Sequence, residues 1–168
     1  MEDNNNKYLK NIDLDKFLDV IGGIVIVLDR NGVVRMINNK GAEMLGLEKE
    51  NILSKNWFDI FVPSKQRKEV RMVFNKIMQN QIENTEYHEN SILNNQGDEI
   101  IISWHNAILK NNDEIIGTIS SGDDITSRKK FEKDLERKNI KLKSMNDLMI
   151  NRELKMIELK KKIKKLEQ

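Results

Sequence analysis

His88 and His105 are the only imidazoles in a chain of 168 residues that contains no cysteine. Disulfides, thiolate zinc sites and cysteine nucleophiles are thereby excluded. Each histidine falls in a segment that reads as a strand, without a second ligand at close spacing, so no metal site is expected. Carboxylates occur in near neighbours, Glu86 with Glu89 and Asp123 with Asp124. A catalytic pair needs burial and a facing geometry that adjacent surface residues rarely have. Neither Gly22-Gly23 nor Gly117 stands in a phosphate-loop spacing. No catalytic residue is therefore assigned, and the chain is not expected to be an enzyme. The bulky residues best placed to border a ligand cavity are Met36, Met44, Trp57, Phe61, Phe74 and Trp104. They are equally suited to fill it, because a core built from only nine aromatics needs most of them.

The elements that must position these side chains are legible in order. Leu14, Phe17, Leu18 and Ile21 recur at helical spacing before Gly22-Gly23. Ile24 to Leu28 and Val33 to Ile37 are strand-like and flank the turn Asp29-Arg30-Asn31-Gly32, which makes a β-hairpin. Asn38 and Asn39 can cap a short helix that stops at Gly46. A stretch holding Ile52, Leu53, Trp57, Phe58, Ile60 and Phe61 follows, and Pro63 suits the first turn of a helix running to about Asn80. Glu86 to Leu93, Glu99 to Leu109 and Glu114 to Ser121 read as three strands separated by Asn- and Asp-rich turns. The order ββαααβββ predicts an α+β domain: a five-stranded antiparallel sheet with helices on one face.

From Phe131 onward the pattern changes. Phe131, Leu135, Leu142, Met145, Met149, Met156, Leu159, Ile163 and Leu166 lie in 4-3 alternation, with Lys138 and Arg152 completing the series. Sustained over five heptads, this is a coiled-coil seam extending about 53 Å, and the partner it implies is a second copy in a parallel homodimer. Ile150, Leu154 and Ile157 form a second apolar stripe on the far side of that helix. The chain divides accordingly into a flexible N-terminus (1–11), a compact domain (12–126) and a coiled-coil helix (127–168). Residues 127–168 carry 15 Lys and Arg against 7 Asp and Glu, so the stalk is basic and the domain acidic. The densest run, Lys160 to Lys165, lies inside the heptads, whereas a basic leucine zipper places its DNA-contacting segment before them, which argues against nucleic acid. No apolar run approaches the roughly 18 residues needed to cross a bilayer, and Met1 to Asn6 lacks the order of a signal peptide, so a cytoplasmic protein is expected.

The order of elements, the Asp29-Arg30-Asn31-Gly32 hairpin, the segment Asn39 to Gly46, the turn Asn95-Gln96-Gly97-Asp98-Glu99 and the closing Asp124-Ile125-Thr126 together resemble a PAS sensory domain over about residues 12–126. Asn146 to Lys160 resembles the coiled coil that follows PAS domains in sensor histidine kinases. The resemblance implies a signalling module in which a small-molecule, redox or protein cue alters the sheet or its pocket and the attached helices repack. It also implies that Asp124 and Thr126, matching the family's Asp-x-Thr motif, tie the outgoing helix to the core. Haem-binding relatives usually ligate from the long helix, and residues 63–80 hold no histidine, which disfavours haem. A noncovalent flavin would use a Trp, an Asn and backbone groups, for which Trp104 and Asn106 are the candidates; such a redox or light sensor is one alternative. The other is a dimerisation scaffold with a basic stalk. No kinase phosphoacceptor helix or ATP-binding domain follows the stalk, so an effector would be supplied elsewhere.

Overall fold

The computed structural model describes residues 18, 20–79 and 88–166, the last two without their side chains. Strands β1 (Ile24–Asp29) and β2 (Val34–Ile37) are followed by four helices, α1 (Asn39–Leu45), α2 (Lys49–Ile52), α3 (Trp57–Phe61) and α4 (Ser64–Met78). Strands β3 (His88–Leu93), β4 (Glu99–Asn111) and β5 (Glu114–Asp124) come next, and α5 (Thr126–Leu166) closes the chain. The sheet order is β2-β1-β5-β4-β3 and every pairing is antiparallel. The expected five-stranded α+β fold is therefore present, with four helices rather than three among the described residues between β2 and β3. The extra break falls at Ser54, which adopts φ +63° and separates α2 from α3.

Local chemistry accounts for the turns. Asp29 Oδ1 accepts the backbone N–H groups of Asn31 (2.9 Å) and Val33 (3.0 Å), while Oδ2 is gripped by Arg35 at 2.6 Å. Burial alone would raise the Asp29 pKa; the hydrogen bonds from Val33, Arg35 and Asn31 outweigh it and hold the carboxyl below its ordinary value. Gly32 completes the turn at φ +74°, and a Cβ there would stand 2.3 Å from the Phe58 ring. Asn38, fully buried, caps α1: its Oδ1 accepts from Gly41 N and from Val25 N, and its Nδ2 donates to Leu18 O and Gly23 O. Asn39 is helical rather than capping, and Pro63 occupies the N-cap of α4 rather than its first turn. Asn112 and Asp113, both at positive φ, make the tight β4–β5 turn, which lets both strands run beyond the expected ends to Asn111 and Asp124.

The core lies between the sheet and its helices, where Ile24, Ile26, Val34, Ile37, Leu45, Ile52, Phe61, Val62, Ile92 and Ile102 are almost completely buried. Leu18 is buried as well, but Leu14 and Phe17 of the predicted leading helix lie outside the described residues, as do residues 1–11, the predicted strand start at Glu86 and the helix end at Asn80.

The contacts divide the chain into two units, at Thr126 and Ser127. The second unit is uninterrupted helix as far as Leu166. Phe131, Leu135, Leu142, Met145, Met149, Met156, Leu159 and Ile163 are all exposed along it, as are Ile150, Leu154 and Ile157 of the second stripe. The side chain of Leu166 lies outside the described residues. Among the described residues, no helix is long and apolar enough to cross a membrane.

Candidate functional site

Between α3, α4 and the inner face of the sheet lies a pocket of about 50 Å³. Its helical wall is apolar, with Trp57 and Phe58 from α3 and Val70, Val73, Phe74 and Ile77 from α4. Period-2 alternation fixes the sheet side: Ile26 and Leu28 of β1, Thr118 and Ser120 of β5, Trp104 and Asn106 of β4, and His88 and Asn90 of β3 share one face. Trp104 meets Trp57 edge-on at 6.0 Å, in the geometry that aromatic quadrupoles favour. Trp104 can lie flat over β5 because Gly122 stands opposite it in register; a Cβ at Gly122 would come within 2.4 Å of Ile102 and 2.9 Å of the indole.

Four of the residues proposed from sequence as pocket-lining, Trp57, Phe74, Trp104 and Asn106, line this space. Three do not. Met36 pairs with Val27, whose neighbours Ile26 and Leu28 face the core, so Met36 points to the opposite face of the sheet. Met44 packs against the outside of the core and borders a surface groove with Lys40, Glu43, Ile100 and Asp123. Phe61 is buried, its ring 5.0 Å from that of Trp57 and tilted 36° to it, and belongs to the core. Sequence reasoning missed the polar floor. Asn90, Thr118 and Ser120 are each at least nine-tenths buried, and Ser120 Oγ donates to Asn106 Oδ1 at 2.7 Å. A signal was present: Thr118, Ser120 and Gly122 are alternate residues of one strand, small and weakly polar, with the apolar Ile119 between the first two.

The two histidines cannot share a ligand, because His88 pairs with Trp104 and faces the pocket whereas His105, adjacent to Trp104, faces the other way. Among the described residues, no group of three His, Cys, Asp or Glu side chains could hold a metal ion.

Asp124 and Thr126 meet at the end of β5. Thr126 N donates to Asp124 Oδ1 at 2.8 Å, and Ile101 N of β4 donates to Thr126 Oγ1 at 2.8 Å. Ile125 N donates to Ile101 O at 2.9 Å and its side chain is buried. Three consecutive residues thus fasten the first residue of α5 to β4. The carboxylate also lies at the positive end of the helix dipole, where it is stabilising.

The model for the PAS fold matches residues 18–130, about two thirds of the sequence, and the chain belongs to the PAS family. Its described residues form a PAS domain continued by a long helix. Solved structures agree in fold. The PAS domain of the Cronobacter turicensis RpfR quorum-sensing receptor, in complex with BDSF, is 23% identical at a TM-score of 0.54, over 62% of this chain and 95% of that one. A sensory box histidine kinase/response regulator from Burkholderia thailandensis E264 is 15% identical at 0.60, over 77% and 97%. The PAS domain of a LuxR-family transcriptional regulator from Burkholderia thailandensis, in complex with ethanol, is 9% identical at 0.56, over 68% and 99%. No curated protein matches the chain.

Proposed function

We propose that the chain is a cytoplasmic, non-catalytic input module: a cue enters the pocket, β4 and β5 respond, and α5 carries the response to an effector such as a histidine kinase. The observation that carries this reading is shared strands. Trp104, Asn106, Thr118 and Ser120 form the pocket floor on β4 and β5, and the same two strands supply Ile101 and Asp124 to the Thr126 junction. A change in the floor therefore has a short covalent and hydrogen-bonded route to the start of α5. In this reading the stalk pairs with a second copy as a parallel homodimer, burying Leu135, Leu142, Met149 and Leu159. The cue is a small molecule, and neither haem nor flavin is required. A pocket of about 50 Å³ accommodates only a few heavy atoms at rest, whereas drug-sized ligands occupy roughly 300–1,000 Å³. The RpfR domain holding BDSF and the LuxR-type domain holding ethanol support a ligand-based reading by likeness of fold.

The test is to fill the pocket from within. Ser120→Val should change hydrogen exchange along residues 127–142 of the full chain while sedimentation still shows a dimer. Unchanged exchange in that segment, with the domain folded, would refute the transmission route; a monomer would refute the stalk's role.

A further inference from the structure

Among the described residues, the pocket's lining contains no Lys, Arg, Asp or Glu. A charged ligand moved from water against these residues would meet no opposite charge, which is a strongly unfavourable transfer. The lining is nevertheless not purely apolar. Thr118 is 2% exposed and Ser120 5%, at inward positions where a sheet that served only as a core would carry Val or Ile. Ser120 pairs with Asn106 across the β4–β5 ladder, and its hydroxyl proton is committed to Asn106 Oδ1. That arrangement leaves Asn106 Nδ2 as a donor and the Ser120 oxygen as an acceptor, side by side on the floor. Trp57, Phe74 and Ile77 face them from the helical wall.

On the reading of this space as the sensory pocket, we propose that its ligand is a small uncharged molecule with one head that both donates and accepts a hydrogen bond, as a primary amide or an alcohol does. The head sits on Asn106 and Ser120 and the apolar body lies against Trp57, Phe74 and Ile77. Size agrees with this class. An apolar cavity of about 150 Å³ holds benzene, so 50 Å³ suits a body of two or three carbons, and the partly buried Val70 and Val73 are the side chains whose movement would admit more.

Three probes of matched shape decide the matter: propionamide, propionate and n-propylammonium, titrated into the full chain at pH 8, where an ordinary imidazole is uncharged. The readout is the NMR shift of the Trp57 and Trp104 indole N–H signals and of the Asn106 side-chain amide. Propionamide should give saturable shifts and bind at least tenfold more tightly than either charged probe. Asn106→Leu and Ser120→Ala should each weaken it by a similar factor. Equal binding of propionate or n-propylammonium would overturn the uncharged class while leaving the pocket reading intact. Undiminished propionamide binding in both variants would overturn the assignment of the head to Asn106 and Ser120. Shifts from none of the three probes would overturn the pocket reading and this proposal with it.

Discussion

Replacing Thr126 with Val removes one oxygen and almost no volume, and that oxygen is the acceptor for Ile101 N at 2.8 Å. The Ile101 N–H sits at a half-buried position on β4, so the substitution forfeits its hydrogen bond to Thr126. A lost bond costs about 0.5–1.5 kcal/mol and a buried orphan donor about 1–3, which for a half-buried site gives about 1–2 kcal/mol in all. For a domain of roughly 100 residues, each kcal/mol corresponds to about 4–8 °C in Tm, so the PAS domain should melt about 4–16 °C lower. Thr126→Ser restores the oxygen and should recover most of the loss, although Ser lacks the methyl. Hydrogen exchange should show the Ile101 amide and the first turn of α5 losing protection together, by about tenfold. A Thr126→Val protein that melts within 1 °C of the parent, with Ile101 still protected, would refute the junction as a fastening.

Gly32→Ala should destabilise the domain by about 2–3 kcal/mol in urea titration, since φ is +74° and the new methyl meets the Phe58 ring; Phe58→Leu in the same chain should recover part of it. If the proposed seam pairs two stalks, replacing Lys138 and Arg152 together with Leu should tighten that dimer by at least tenfold in sedimentation equilibrium; an unchanged dissociation constant would count against the register. Asp29 has a folded-state pKa below its ordinary value, so its ionised form stabilises the fold. That contribution is complete above about pH 5 and disappears as pH falls through the depressed value. The gap in urea midpoint between the parent and Asp29→Asn should therefore be constant from pH 7 to about 5 and close at lower pH.

What the sequence disclosed was whatever short-range chemistry decides. Asp29-Arg30-Asn31-Gly32 contains its own turn instructions, and the five heptads of α5 repeat a single rule. For the Asp124–Thr126 pair, residue chemistry suggested only a helix cap; its tie to the core came from the resemblance to the family's Asp-x-Thr motif, because the Thr126–Ile101 bond spans 25 residues. The pocket was half legible. Val33, Val34, Met36 and Ile37 are apolar at both parities of the strand, so no alternation shows which face Met36 takes; that depends on the irregular pairing at Val27 and Leu28. Met44 was misplaced for a related reason: a seven-residue helix is too short for periodicity to separate its core face from its edge. Thr118 and Ser120 were overlooked because hydroxyl residues in a strand ordinarily mark the solvent face, and here they mark the inside. The break at Ser54 rests on a backbone conformation that its residue type does not demand.

Asn38 gives the domain a mechanical property. One carboxamide bonds to Leu18, Gly23, Val25 and Gly41 at 2.9–3.2 Å, so the segment before β1, the strand itself and the first turn of α1 are riveted at a single point. That point lies beside the pocket floor, since Val25 is followed by Ile26, which pairs with Ser120 and lines the pocket. A single changed atom in the rivet, Asn38→Asp, would keep an oxygen to accept from Val25 N and Gly41 N but set a second carboxylate oxygen against the Leu18 and Gly23 carbonyls, so it would loosen the segment before β1 while the strand and α1 stay joined.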